Sequence, residues 1–251
     1  MNFFAEALQW LVDPANYVGL NAIPLRLAQH LGFTVVTLVI ASAIAIPLGF
    51  LIGHTGRGRS VAVASAGAFR AIPTLGLLTL VALSIGIGLN APYIALTVLA
   101  VPPILAGAYT GFEAIDRRTI DAARAVGMSE VQIVRQVEVP LGLPLLIGGL
   151  RSAALQVVAT ATLAAYVADF GLGRYLFAGL KTRDYAEMLG GSILVILMAL
   201  ALEGLFALTQ RFVVPRGVLA GRPTDIRTRS SRPRPVMESA IEEGQKNVHS
   251  K

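Results

Sequence analysis

Long stretches without charge decide most of what this chain can become. Leu31–Gly53 runs for 23 residues, and Ala71–Phe112 for 42, with no Asp, Glu, Lys or Arg. A helix needs roughly 20 apolar residues to cross a bilayer. The first stretch therefore predicts one span and the second predicts two. They are divided at Gly86-Ile87-Gly88-Leu89-Asn90-Ala91-Pro92, whose Gly, Asn and Pro are turn residues. Leu145–Ala168, interrupted only by Arg151, is a fourth span. Met188–Val214, with Glu203 inside it and Arg211 near its end, is a fifth. Backbone groups in hydrocarbon must bond to each other, so each span is read as a helix. Pro47 and Pro73 are expected to kink their helices without ending them. The fold class is all-α integral membrane, with 14% charged residues against about 25% in soluble domains.

Charge sets the expected direction. Arg57, Arg59, Arg117, Arg118, Arg124, Arg135 and nine Lys/Arg from Arg211 onward fall on one side of a five-span layout. Arg26, Arg174, Lys181 and Arg183 fall on the other. The richer side is expected to be cytoplasmic, which puts the N-terminus outside and the C-terminus inside. Residues 1–30 are expected to be an outer, partly amphipathic lead-in, with no good cleavable signal. Residues 31–214 form the transmembrane domain, and 215–251 a disordered cytoplasmic tail whose basic half can touch anionic lipid. The pI of about 10.1 is explained by this membrane asymmetry, with no nucleic-acid partner. The chain has no cysteine and its three histidines are scattered. No metal site and no cofactor are expected.

Between spans three and four lies a polar island, residues 113–140. Glu113–Val126 reads as one helix and Glu130–Glu138 as a second. Gly127 suits a left-handed helix stop, Ser129 with Gln132 a capping box, and Pro140 the end of the second helix. Ala122, Ala123 and Ala125 keep the first helix slim, and Asp121, Arg124 and Arg118 can fix its register in a partner's groove. A charged helical loop between spans is best explained by another protein that grips it.

The segment Asp121-Ala122-Ala123-x-x-x-Gly127, then nine residues, then Val137-x-Val139-Pro140 resembles the EAA loop of binding-protein-dependent ABC importer permeases. That pattern is Glu-Ala-Ala, three residues, Gly, nine residues, Ile-x-Leu-Pro; here Asp121, Val137 and Val139 replace Glu, Ile and Leu. The resemblance implies a five-transmembrane-helix type I ABC importer permease bundle with a cytoplasmic coupling-helix loop. It implies that Asp121, Ala122, Ala123, Arg124, Gly127, Met128, Val137 and Pro140 couple the bundle to a separate ATPase dimer. A substrate-binding protein and a second permease subunit, identical or related, are the other implied partners. No Walker A motif occurs in the chain, so ATP hydrolysis is assigned to another polypeptide and this chain is not expected to be an enzyme.

Further segments resemble the osmoprotectant branch, which carries glycine betaine, choline or carnitine. They are Pro47-Leu48-Gly49, Ala71-Ile72-Pro73-Thr74-Leu75-Gly76-Leu77-Leu78, Gly127-Met128-Ser129-Glu130, Thr160-Ala161-Thr162-Leu163-Ala164-Ala165-Tyr166, Gly171-Leu172-Gly173, Phe177-Ala178-Gly179-Leu180 and Asp184. Ala168-Asp169-Phe170-Gly171-Leu172-Gly173 departs from that branch's frequent Gly-Ala-Gly-Gly-Leu-Gly. Methionine-type permeases share the five-span plan and the Ile-Pro element. A self-contained secondary transporter would need an internal inverted repeat and buried coupling residues, and neither is evident.

Aromatic faces hold quaternary ammonium groups, yet the spans show no dense aromatic cage. This suits loose passage, with tight capture left to a binding protein. Thr160, Thr162 and Tyr166 are candidates for the translocation pathway or for ordinary interhelical packing. Glu203 is a gate or a structural ion pair, with Arg151 or Arg70 as partner. Gly171–Glu187 is an amphipathic surface or re-entrant element that receives the binding protein, lines the outer gate, or simply connects spans.

Overall fold

The computed structural model describes residues 2–213, with only the backbone at Arg70. The predicted tail, and Val214 at the predicted end of span five, lie outside the described residues. The helices are α1 (Phe3–Val12), α2 (Ile23–Thr55), α3 (Arg59–Ala71), α4 (Thr74–Ile85) and α5 (Asn90–Glu113), then α6 (Arg117–Ala125) and α7 (Glu130–Ile133). After a π-turn over Val134–Glu138 come α8 (Val139–Ala161), a 3-10 turn (Thr162–Ala164), α9 (Ala165–Ala168), α10 (Gly173–Thr182) and α11 (Tyr185–Val213). Among the described residues, four helices are long and apolar enough to cross a bilayer, or five if the bent pair α3–α4 counts as one span.

That bend corrects the reading of Pro73. Ile72 and Pro73 both leave helical geometry, with ψ of 123° and 119°. The axes on either side differ by 91°. A residue before proline is pushed toward extended backbone, and here two successive residues take it, so the helix breaks where a kink was expected. Pro47, by contrast, stays inside α2. The first span also starts earlier than expected, at Ile23, with Pro24 in its first turn, where a missing N–H is harmless.

The core lies between α2, α5 and α8. Phe33, Ala41, Ala45, Leu96, Ala100, Ile104, Ala153, Val157 and Ala161 form one buried cluster. Glycine spacing allows the close packing. A Cβ on Gly107 would lie 2.7 Å from the Leu145 carbonyl oxygen, and one on Gly111 2.7 Å from that of Gly142. The Gly107-x-x-x-Gly111 pair therefore lets the α5 and α8 backbones touch, the usual role of small residues between membrane helices. Gly53 of α2 meets α5 in the same way, since its Cβ would come 2.7 Å from Phe112 Cβ. Phe50 and Phe112 stack beside it with ring centres 4.6 Å apart.

A second cluster of Ile23, Val158, Leu172, Tyr175 and Met198 joins α8, α10 and α11 to the start of α2. Trp10 of α1 lies against Gly190 of α11 and meets Tyr175 edge-on at 5.0 Å. The N-terminal helix is thus packed into the bundle. Large apolar side chains elsewhere face outward, among them Leu80, Leu83, Leu197 and Leu200, as expected where the solvent is lipid.

Candidate coupling hairpin

The hairpin between α5 and α8 is built from local capping signals. The Asp116 side chain accepts from the Arg118 N–H at 2.9 Å and opens α6. Gly127 closes it with φ +85°. The Gly127 N–H bonds to the Arg124 carbonyl at 2.9 Å and the Met128 N–H to that of Ala123 at 3.2 Å. A Cβ at Gly127 would meet nothing within 4 Å. Glycine is required there by the backbone angle, not by crowding. The Ser129 N–H then bonds to Gln132 Oε1 at 2.8 Å, and Ser129 Oγ accepts from the Gln132 N–H, which is the expected capping box.

Two helix limits differ from the sequence reading. Glu113 ends α5 instead of opening the loop helix, which starts at Arg117. Pro140 does not end the second helix. The chain runs as one helix from Glu130 to Ala168. The Val139 N–H reaches back five residues to the Val134 carbonyl. This π-turn shifts the bonding frame just before a residue with no N–H, so Pro140 is tolerated in the first turn of α8. The hairpin's second arm is therefore a rigid extension of α8.

The hairpin has its own core of Ile120, Ala123 and Ile133, with Ile115, Met128 and Val137 packed around it. Ala123 is thus an internal residue. Asp121, Ala122, Arg124 and Ala125 remain exposed, with Val126 79% and Val131 67% accessible at the tip. The Arg124 guanidinium bonds to both Glu130 carboxylate oxygens at 2.8 and 3.1 Å, and lies 3.5 Å from Asp121. The hydrogen bond to Glu130 raises the pKa of Arg124 further, so it stays cationic.

Two residues that sequence reasoning passed over complete this end. His54, on the last turn of α2, places Nδ1 2.7 Å from Glu138 Oε2 and Nε2 3.3 Å from Glu130 Oε2. Glu138 is 5% exposed. It occupies the variable position of the Val-x-Val-Pro signature, where a fixed pattern carries no signal. Arg59 and Glu113 form a further pair at 3.4 Å between α3 and α5.

The other candidates lie apart from the hairpin. Thr160 Oγ1 donates to the Gln156 carbonyl and Thr162 Oγ1 to that of Ala159, each at 2.7 Å. Both hydroxyls are thus used within their own chain segment. Tyr166 is exposed on α9, its ring 5.7 Å from Phe177 of α10. Glu203 of α11 pairs with Arg151 of α8, accepting from its Nε at 2.6 Å. The side chain of Arg70, the alternative partner, is outside the described residues.

The end away from the hairpin holds a buried polar network also missed in the sequence. Arg26 donates to Asn21 Oδ1 at 2.6 Å and to the Asp169 carbonyl at 2.8 Å. His30 lies between the Val158 carbonyl at 3.0 Å and the Leu172 N–H at 3.2 Å. Burial pushes the Tyr175 phenol up to about 12, so it remains an O–H donor to the Asn21 carbonyl at 2.6 Å.

Residues 45–217 match the family described as binding-protein-dependent transport system inner membrane component. The chain is 28% identical over 193 residues to the glycine betaine/carnitine/choline transport system permease protein OpuCB of Bacillus subtilis, covering 77% of this chain and 89% of that one. It is 26% identical over 218 residues to the osmoprotectant import permease protein OsmW of Salmonella typhimurium, covering 85% and 99%. Among solved structures, an inward-facing conformation of the MetNI methionine ABC transporter superimposes with a TM-score of 0.65 at 25% identity, covering 74% of this chain and 93% of that one. The chain belongs to the binding-protein-dependent transport system inner membrane component family and has the permease fold of a type I ABC importer.

Proposed function

We propose that the chain is the membrane subunit of an ATP-driven importer for osmoprotectants such as glycine betaine, choline or carnitine. The observation that carries this reading is the hairpin. It is a self-capped unit with its own core, fused through α8 to the bundle, and it presents an exposed face of Ala122, Ala125, Val126 and Val131. Relatives named for osmoprotectant transport support the substrate class over methionine. The methionine transporter supports the architecture.

In this reading a separate ATPase dimer grips α6 and α7, and its closure on ATP shifts the bundle between inward- and outward-open states. Such coupling requires contacts that differ between the two states. Asp121, Ala122, Arg124 and Gly127 shape the gripped surface. Ala123, Met128 and Val137 hold it rigid from within, and Pro140 sits where the hairpin becomes α8. A second permease subunit completes the path, because five spans are thin for a whole one. The amphipathic α10 and its flanking loops receive a substrate-binding protein at the outer surface. The hairpin and the C-terminus lie in the cytoplasm, where the basic half of the tail contacts anionic lipid. Thr160, Thr162, Tyr166 and Glu203 are the candidates for the pathway. Tyr166 alone among them offers an exposed aromatic face to a quaternary ammonium.

Reconstitution with the ATPase and binding protein in proteoliposomes tests the reading. ATP-dependent uptake of labelled glycine betaine, choline or carnitine, not displaced by excess methionine, is the expected result. Uptake of methionine alone would overturn the substrate class, and uptake without the ATPase would overturn the mechanism.

A further inference from the structure

The hairpin has two covalent attachments to the bundle and they differ in stiffness. Toward α8 it is continuous helix. Toward α5 it passes through Ala114–Asp116, three residues that belong to no helix. Neither attachment leads to α2. The only side-chain ion pairs between α2 and the hairpin segment, among the described residues, are those of His54 to Glu130 and Glu138.

His54 is well placed to carry force. It follows Gly53, whose lack of a side chain lets α2 touch α5 at Tyr109 and Phe112. The Phe50–Phe112 stack fixes the same corner. The imidazole thus projects from a rigid corner of two packed spans. Each of its ring nitrogens faces a carboxylate oxygen, one from α7 and one from the π-turn. Carboxylates only accept, and both ring nitrogens donate only in the imidazolium. Of the charged groups around this pair, Arg124 is held on Glu130 from α6, with Asp121 beyond it. Arg59 and Glu113, from α3 and α5, are paired with each other.

We propose that His54 is a positioning residue for energy coupling, whose imidazolium clasps Glu130 and Glu138 so that displacement of the hairpin is passed to α2 as well as to α8. The proposal rests on the coupling role of the hairpin given above. Glu138 supplies the anchored half of the clasp, since it is buried. Glu130 supplies the half shared with the exposed face through Arg124. A shift of the gripped surface is therefore felt at His54 along one chain of charge, from Asp121 through Arg124 and Glu130.

The test uses the complete transporter, with its ATPase and binding protein, in proteoliposomes. Glycine betaine taken up per ATP hydrolysed is measured for the parent, His54→Ala and His54→Arg under one set of conditions. His54→Ala is expected to bind the ATPase and hydrolyse ATP, while uptake per ATP falls about fivefold or more, a modest coupling factor by general standards. His54→Arg, with a permanent cation and several donors, is expected to restore most of that ratio. Parent-like uptake per ATP in His54→Ala overturns the clasp. So does a loss in His54→Ala that His54→Arg leaves unrescued, which marks a packing role only. If His54→Ala does not accumulate, His54→Gln takes its place, and parent-like uptake per ATP in that variant overturns the clasp. Failure of the parent chain to bind the ATPase removes the coupling reading itself, and is distinguished by co-purification before any uptake is measured.

Discussion

His30 and His54 stand on the same helix and are held in opposite ways. His30 is buried between a carbonyl that accepts and an N–H that donates, the complement of a neutral imidazole. Around it, Arg26, Asn21 and Tyr175 tie α2 to the segment after α9 through carbonyl and amide groups. His54 faces two carboxylates, one buried and one exposed. Hydrogen bonds among buried groups lock a single arrangement, because any alternative strands a polar group away from water. An exposed charge such as Glu130 can separate from its partner and re-form the contact, since water solvates either state, while buried Glu138 stays anchored. One end of α2 is thus sealed, and the other is joined to a hairpin by contacts that can be strained and released.

The largest effect should come from the α5–α8 contact at the centre of the bundle. Gly149→Leu would drive a side chain into α5, where even a Cβ would lie 2.6 Å from the Pro103 carbonyl oxygen. The expected result is loss of the protein from the membrane fraction, measured by immunoblot, with neither end left to compare. Gly127→Val acts on the hairpin end alone. Nothing crowds that position, so the change adds backbone strain of about 1–2 kcal/mol, confined to the turn between α6 and α7. Protein level should stay near the parent's while ATP hydrolysis and uptake lose their proportion. Normal uptake per ATP, with the ATPase still bound, would break the assignment of the hairpin as the moving end.

How much of this contrast could be read in the sequence depended on the range of the contacts. The spans were legible because the bilayer imposes one requirement on every residue within it. The hairpin's turn was legible because Gly127, Ser129 and Gln132 act within a few residues of one another, whereas the Asp116 cap was not, because Glu113 reads as the start of the loop helix. The fusion of its second arm to α8 was not, since Pro140 alone reads as a stop and the π-turn that absorbs it has no local signature. The break at Ile72–Pro73 was hidden by the apolar run around it. Helix α3 was hidden by its small Ala and Ser residues between Arg59 and Arg70. The two histidine sites join residues 84 and 142 positions apart, a distance at which no spacing rule operates. The Gly107-x-x-x-Gly111 contact did carry a usable signal, a small-residue spacing inside an apolar run.

His30→Ala should show the sealed end as structural. Removing the imidazole leaves the Val158 carbonyl and the Leu172 N–H without their partner. An unsatisfied buried group costs roughly 1–3 kcal/mol. The apparent Tm of the detergent-purified protein should fall, while uptake per ATP in the surviving protein stays at the parent value. A changed ratio with an unchanged Tm would reverse the roles assigned to the two ends of α2.

The smallest effect is expected at Glu203. Its partner Arg151 lies on α8 and Glu203 on α11, so the pair joins two spans and touches neither the hairpin nor the His30 network. Both side chains are partly exposed, at 39% and 28%. Glu203→Gln keeps an oxygen that can accept from the guanidinium and removes only the charge. If coupling runs through contacts between hairpin and bundle, uptake per ATP should not change in this variant, and its level in the membrane should drop at most slightly. Unaltered expression with a clear fall in uptake would place Glu203 on the translocation path. The contrast between a sealed end and a working end of α2 would then need a third element, in the space between α8 and α11.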